Sequence, residues 1–296
     1  MSEFKTIGFI GVGVMGEPMC RHLATKSGAQ VLATDRDPAP LQRLAEHGVQ
    51  SADMADIAQK ADIIFMSLPS DKVVRAVVEG DAGAPGLLAM CRSGQVVVDL
   101  STSPVPLTRE LAAKFAERGV QFADAPVMRT RAAAEAGSLA VPVGASDALF
   151  NRIRPLIAMF ASDITHGGDI GAGQVVKILN NMVLYETVLA LAEARAIGAR
   201  AGVDPERLFN AMSTGSADSF ALRNHGLKAI VPQQFPERAF PVTYAKKDLQ
   251  YAVALAESVG VNATGAKNLI ECFDQAIAQG HGDKYAPAIS LVFEKS

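Results

Sequence analysis

An apolar run that ends among three closely spaced glycines, "TIGFIGVGVMG" over residues 6–16, leaves this chain few folds to choose from. The run reads as a buried strand, and Gly11, Gly13 and Gly16 stand in G-x-G-x-x-G spacing where it must give way to a helix. The first glycine permits the tight turn, the second lets backbone approach a ligand, and the third lets helix and strand pack closely. Val12, Val14 and Met15 complete a loop whose helix then offers unpaired N–H groups to a pyrophosphate. Asp35 closes the next apolar run, where an acid accepts hydrogen bonds from a ribose 2′-hydroxyl and repels a 2′-phosphate. Arg36 follows at once, and an Arg there pairs with a 2′-phosphate or stacks on adenine. The pattern favours NAD(H) over its phosphorylated form, NADP(H), which is kept open.

The same alternation continues through the first half of the chain. Apolar runs at 30–35, 61–68, 95–101, 120–126 and 139–144 are separated by segments of helical spacing such as 38–48 and 106–119. Continuous rather than alternating apolar runs are what strands covered on both faces require. An α/β Rossmann domain over 1–165, with a doubly wound parallel sheet, is therefore expected. After "THGGDIGAG" at 165–173 the strand signal stops, and 174–200 reads as one unbroken helix. Asp204 offers an N-cap with Pro205 at the first helical position, and further helices are expected over 216–230, 243–259 and 262–279. The second domain, 166–296, should thus be all-α and joined by the long helix. A chain of 296 residues is long enough for two cores. So long a helix is expected to pack against another subunit, in a homo-dimer or tetramer.

Composition excludes several classes of partner. With 20% charged residues and a net charge of -3, the chain has no basic footprint, and no nucleic acid is expected to bind it. Cys20, Cys91 and Cys272 are few, odd in number and far apart, and the five His show no paired-ligand spacing, so no metal site is expected and a reducing compartment is. The N-terminus enters the first strand without a leader, and Glu186, Glu193 and Arg195 interrupt the longest apolar helix. The expectation is a soluble cytoplasmic protein with no membrane span.

Three further stretches carry polar groups suited to chemistry: "DLSTSPVP" (99–106), "GAGQVVKILNN" (171–181) and "AKKDL" (245–249). Lys177 and Asn181, four apart, share a helix face, with Asn180 beside them. Flanked by Val176 and Ile178, the lysine is expected to be partly desolvated, which makes it release its proton nearer neutrality. From the residues alone, a lysine whose stem packs while its ammonium reaches water is equally consistent. Ser101 and Thr102 stand at a strand end, where hydroxyls otherwise cap helices, and Pro104 and Pro106 make Ser103 a candidate cap.

Together with the glycine turn, and in the same order, these stretches resemble the β-hydroxyacid dehydrogenase family, which includes 3-hydroxyisobutyrate dehydrogenase, tartronate semialdehyde (2-hydroxy-3-oxopropionate) reductase and sulfolactaldehyde reductase. The resemblance covers essentially the whole chain. It implies hydride transfer between a nicotinamide and the carbonyl of a small anionic semialdehyde or ketone, with Lys177 as general acid and base and Asn181 orienting. It further implies that Ser101, Thr102 and Asn180 contact the substrate, and that Leu68, Pro69, Thr102, Phe240 and Lys247 contact the cofactor. Imine reductases share the architecture but usually lack the lysine, and a non-catalytic NAD(P)-binding regulator would have lost the Lys–Asn pair.

The chain also departs from that family. After "DAPV" the family has Ser-Gly-Gly, which cradles a substrate carboxylate; here Met128, Arg129 and Thr130 stand in its place. Sulfolactaldehyde reductase carries a comparable Gly-Arg-Thr turn whose Arg binds a sulfonate. The resemblance therefore makes Arg129 the candidate for the substrate's anion, with Thr130 beside it, and leaves Arg131 to solvent. Three substrates stay open: a sulfonate such as 3-sulfolactaldehyde, a 2-oxoalkylphosphonate, and an ordinary carboxylate. At the C-terminus, Tyr285 replaces the Asp of the family's "Gly-x-Gly-x-x-Asp" pattern.

Overall fold

The computed structural model describes residues 3–81, 83–237 and 239–294. They divide into two compact units, Met1–Lys177 and Ile178–Ser296. The first unit contains β1 Thr6–Ile10, β2 Gln30–Thr34, β3 Gln50–Ser51, β4 Ile63–Met66, β5 Gly80–Asp81, β6 Ala84–Pro85, β7 Val96–Asp99, β8 Gln121–Asp124, β9 Leu139–Gly144 and β10 Ala161–Gly168. Its helices are α1 Gly16–Lys26, α2 Pro38–Ala45, α3 Met54–Lys60, α4 Asp71–Glu79, α5 Leu87–Met90, α6 Val105–Glu117, α7 Arg131–Ala136 and α8 Asp147–Ile157. The long helix α9, Ala172–Arg200, begins in this unit and continues into the second.

Eight strands form one sheet in the order β10-β9-β8-β7-β4-β1-β2-β3, while β5 and β6 pair separately. From β3 to β8 every neighbouring pair is parallel. Strands β4 and β7 are buried at every position, and successive residues go to opposite faces. Ile63, Phe65, Val96 and Val98 join the cluster under α1 and α8, whereas Ile64, Met66 and Val97 join the one under α3, α4 and α6. This is the doubly wound sheet that the apolar runs predict.

Beyond β8 the structure adds what the sequence pattern did not show. Strand β9 meets β8 antiparallel, at Asp124 opposite Gly144, because the chain folds back over the short α7 and bridges Met128 to Ala140. Strand β10 then pairs with β9 in parallel. Its "ASDITHGG" is half exposed and lacks an apolar run, which an edge strand does not need.

The second unit, among its described residues, is helical apart from two single bridges, Glu237 to Lys284 and Pro241 to Tyr285. Tyr185, Val188 and Leu191 of α9 pack with Phe209 of α10 (Pro205–Met212), Leu249 of α11 (Val242–Ser258) and Leu269 and Phe273 of α12 (Thr264–Ala278). The helix expected over 216–230 is wound as a π-helix over Leu222–Ile230. Its Gly226 lies against Phe209, whose ring a Cβ would meet at 2.8 Å. By length and composition α9 is apolar enough to cross a membrane, so the expectation that Glu186, Glu193 and Arg195 preclude such a stretch does not hold. Core helices pass the same test, and α9 buries Ile178, Tyr185, Val188 and Leu191.

Candidate active site

In the first unit the candidate residues gather at the C-terminal ends of the strands. The turn after β1 starts at Gly11, whose φ of 89° suits only glycine comfortably and whose added Cβ would overlap Ser67 O. A Cβ on Gly16 would overlap Gly11 O. Gly13 differs, since a Cβ there meets no protein atom within 4 Å. Bare backbone facing open space, beside the N-terminus of α1, is a cradle that fits a pyrophosphate. Val12 is buried within the turn and Val14 exposed on it. The Asp35 carboxylate accepts the Val12 N–H at 2.7 Å and the Asp37 N–H at 2.9 Å, so it braces the loop as well as facing it. Arg36 is exposed beside it.

The loop after β7 is tightly held. Ser101 is buried; its Oγ accepts the Leu68 N–H at 2.9 Å, which ties it to the loop after β4 that carries Pro69. Thr102 is half-buried next to it. Ser103 does not cap α6, because Pro104 occupies that position and the Ser103 hydroxyl instead donates to Asp99 at 3.3 Å.

The turn after β8 holds the departure from the family. Arg129 adopts a φ of 82°, the left-handed region where the family has glycine. Its guanidinium donates to Ser138 O at 2.6 Å and Ser162 Oγ at 2.9 Å, and pairs with Asp163 at 2.8 Å. The Ser162 hydroxyl and then Arg129 hold the Asp163 carboxyl below its ordinary range. Thr130 caps α7 by accepting the Ala133 N–H, and Arg131 is exposed, 3.6 Å from Glu135.

Three residues that the sequence reading passed over form the floor of this region. Asp99 and Asp124 end β7 and β8 side by side, in register and buried. Burial pushes both carboxyls up to about 6; hydrogen bonds from Ser101 restrain Asp99, and backbone N–H groups of Gly171 and Gln174 restrain Asp124. Asp124 accepts those N–H groups at 2.7 and 2.8 Å. Gln174, fully buried, accepts the Ser103 N–H at 3.0 Å and donates to Ser101 O at 2.8 Å. Lys177 follows one turn later on α9, 9% exposed. The visible signal was only that acids recur at two strand ends, in "DLS" and "DAP".

In the second unit, Asn181 is buried and donates to Asp248 at 2.7 Å, while its Oδ1 accepts from Asn180 at 3.2 Å. Lys247 lies 3.4 Å from Asp248 Oδ1, with its ammonium over the rings of Tyr244 and Tyr251. Phe240 stacks on Tyr185, with centroids 6.0 Å apart. Tyr285, in place of the family's Asp, has its hydroxyl 2.7 Å from His225 Nδ1. Burial pushes that imidazole down to about 4 and the phenol up to about 12, leaving a neutral pair where the family carries a charge.

Both halves of the chain match known families. Residues 6–168 match the family described as the NAD binding domain of 6-phosphogluconate dehydrogenase, and residues 171–291 that described as NAD-binding of NADP-dependent 3-hydroxyisobutyrate dehydrogenase. The chain is similar to 2-(hydroxymethyl)glutarate dehydrogenase of Eubacterium barkeri, at 35% identity over 100% of this chain and 97% of that one. It is also 35% identical to 3-hydroxyisobutyrate dehydrogenase of Pseudomonas aeruginosa, over 93% of this chain and 94% of that protein. The structure of Mycobacterium tuberculosis 3-hydroxyisobutyrate dehydrogenase with L-serine superposes at a TM-score of 0.87, with 28% identity, over 99% of this chain and 100% of that one. Likeness of this extent, in both halves and from end to end, makes the chain a member of the β-hydroxyacid dehydrogenase family, an NAD(P)-dependent oxidoreductase acting on CH–OH groups.

Proposed function

We propose that the enzyme interconverts a small β-hydroxy acid and its semialdehyde, with Lys177 as the group that exchanges a proton with the substrate oxygen. The observation that carries this reading is the lysine itself: a residue only 9% exposed, one turn beyond a glutamine fixed to the Ser101–Ser103 loop. The nicotinamide, when bound, supplies or accepts the hydride. During reduction Lys177 donates its proton to the developing alkoxide, and during oxidation its neutral amine removes the hydroxyl proton. Asn181 has one amide N–H committed to Asp248, which fixes the other for orienting substrate or lysine. Gly13 and Asp35 hold the nucleotide.

For the substrate's anion a carboxylate is the reading best supported. The charge of Arg129 is already compensated by Asp163, and its backbone holds a left-handed φ of 82°, the region that glycine adopts most easily. 3-Hydroxyisobutyrate, 2-(hydroxymethyl)glutarate and tartronate semialdehyde are the first candidates. One observation favours a second reading: the Arg129 side chain is 40% exposed and its partner Asp163 60%, so a sulfonate or phosphonate could displace that carboxylate. Exposed apolar side chains along α9, Val176, Leu179 and Val183, support a homo-oligomer, which light scattering checks.

The test is NAD(P)H-coupled turnover across carboxylate, sulfonate and phosphonate substrates. Carboxylates should react fastest; a preference of about tenfold or more for the other anions installs the second reading. Lys177→Ala should reduce kcat by about 100-fold or more with NADH binding retained, and normal turnover in that variant would sink the lysine's assignment.

A further inference from the structure

Burying two carboxylates side by side is unfavourable, and Asp99 and Asp124 have no part in the proton transfer proposed above. Their hydrogen bonds differ in kind. Asp99 accepts one backbone N–H and one hydroxyl, from Ser101 and Ser103, and a hydroxyl can reverse its role. Asp124 accepts two backbone N–H groups, one on each oxygen, from Gly171 and Gln174 at the start of α9. Neither donor can reverse.

The space around Asp124 is equally specific. A Cβ on Gly144 would overlap Asp124 Oδ1, and one on Gly173 would come within 2.8 Å of both Asp124 O and Oδ2. Two glycines thus leave a slot that a carboxylate of this length fills. The N–H groups it accepts are those of Gly171, immediately before α9, and Gln174 in its first turn, at the end where a helix has no carbonyls of its own to offer them and where a negative charge is favoured. Gln174 straps the same turn to the loop after β7.

We infer that Asp124 is the positioning residue for Lys177: by accepting a hydrogen bond on each oxygen it fixes the first turn of α9 against the end of β8, and so sets where the lysine ammonium, one turn later, can deliver its proton. The inference rests on the proposed role of Lys177. An aspartate is required because an asparagine accepts on one side only, and its NH₂ would face a second donor. Displacement of a proton donor by about 1 Å is enough to cost on the order of 100-fold in rate while leaving ground-state binding little changed.

The experiment is Asp124→Asn in the full chain, assayed with whichever hydroxy acid of the panel is turned over fastest. The expected result is a kcat lower by about 10- to 100-fold, with KM and the Kd for NADH within about threefold. A merely structural role would weaken NADH binding and KM together with kcat; that outcome, or an unchanged kcat, overturns the inference. Should the Asn chain not fold, Gln174→Glu sets a carboxylate against Ser101 O in the same strap and must give the same kcat-only loss, an unchanged kcat again counting against the idea. Lys177→Ala separates the two layers. If it stays active, the reading of the lysine fails; if it is dead while Asp124→Asn is fully active, only the positioning role fails.

Discussion

Two turns leave the same edge of the sheet, after β1 and after β8, and both bend through the left-handed region, at Gly11 with φ 89° and at Arg129 with φ 82°. One keeps glycine and the other has lost it. At Gly11 a side chain would run into Ser67 O, whereas the chain around Arg129 leaves room for a long one that lies against Ser138, Ser162 and Asp163. Collision, more than the sign of φ, decides which glycines are obligatory. A left-handed non-glycine costs about 1–2 kcal/mol, a tolerable sum, while a Cβ inside a carbonyl is not tolerable at all. The strand ends beneath the two turns differ too, since β1 ends on apolar Ile10 and β7 and β8 end on Asp99 and Asp124.

The comparison can be broken most forcefully at Gly16. Gly16→Ala must push the turn away from Gly11 O, and a loss of about 3 kcal/mol in chemical denaturation is expected, with NADH binding abolished. Wild-type stability in that variant would mean the turn adapts freely.

Next comes Asp99→Asn, which tests the costly strand ends. Burial raises the acid from its ordinary 3.8 to about 6, so the folded chain holds a proton that the unfolded chain releases. Stability from that proton is complete below about pH 4 and is lost as pH rises through 4 to 6. The Asn side chain keeps an acceptor for the Ser101 N–H and can donate to Ser103. The variant should therefore be more stable by roughly 1–3 kcal/mol at pH 7.5, with the gain vanishing near pH 4 in thermal unfolding.

Gly13→Ala isolates the ligand's share of the first turn. Its Cβ meets no protein atom, so stability should change by less than about 0.5 kcal/mol. NADH titration should nonetheless show affinity down by about tenfold, or 1.4 kcal/mol. The smallest effect is expected for Arg129→Gly, where relief of the left-handed backbone and the added freedom of glycine nearly cancel, within about 1 kcal/mol. If the carboxylate reading holds, its KM moves by less than about threefold; a rise well beyond that returns the guanidinium to the substrate.

What could be read from the residues was what repeats locally. Six buried strands, the glycine turn and the long helix announce themselves because neighbours in sequence carry the pattern. Strand β10 did not, since "ASDITHGG" is an edge with one face in water. Nor did the π-helix, whose Gly226 lies against Phe209, a contact between residues seventeen apart that spacing does not announce. Lys177 and Asn181 were legible as a pair on one helix face. Asp99, Asp124 and Gln174 were not, because polar residues at strand ends usually mean solvent, and their partners lie as far apart as Ser101 and Gln174. Arg129 drew notice as a charge out of place, yet Asp163, which neutralises it, enters only with β10.

The brace at Asp35 has a consequence for anyone wishing to change which coenzyme this enzyme prefers. The carboxylate proposed to hold the nucleotide also accepts the Val12 and Asp37 N–H groups. Replacing it to admit a 2′-phosphate removes the support of the loop that must carry the rest of the nucleotide, so selectivity and loop integrity cannot be tuned independently there. Laboratory selection for NADP(H) should accordingly work first through Arg36 and its exposed surroundings, and reach Asp35 only after compensating changes have made the loop self-supporting.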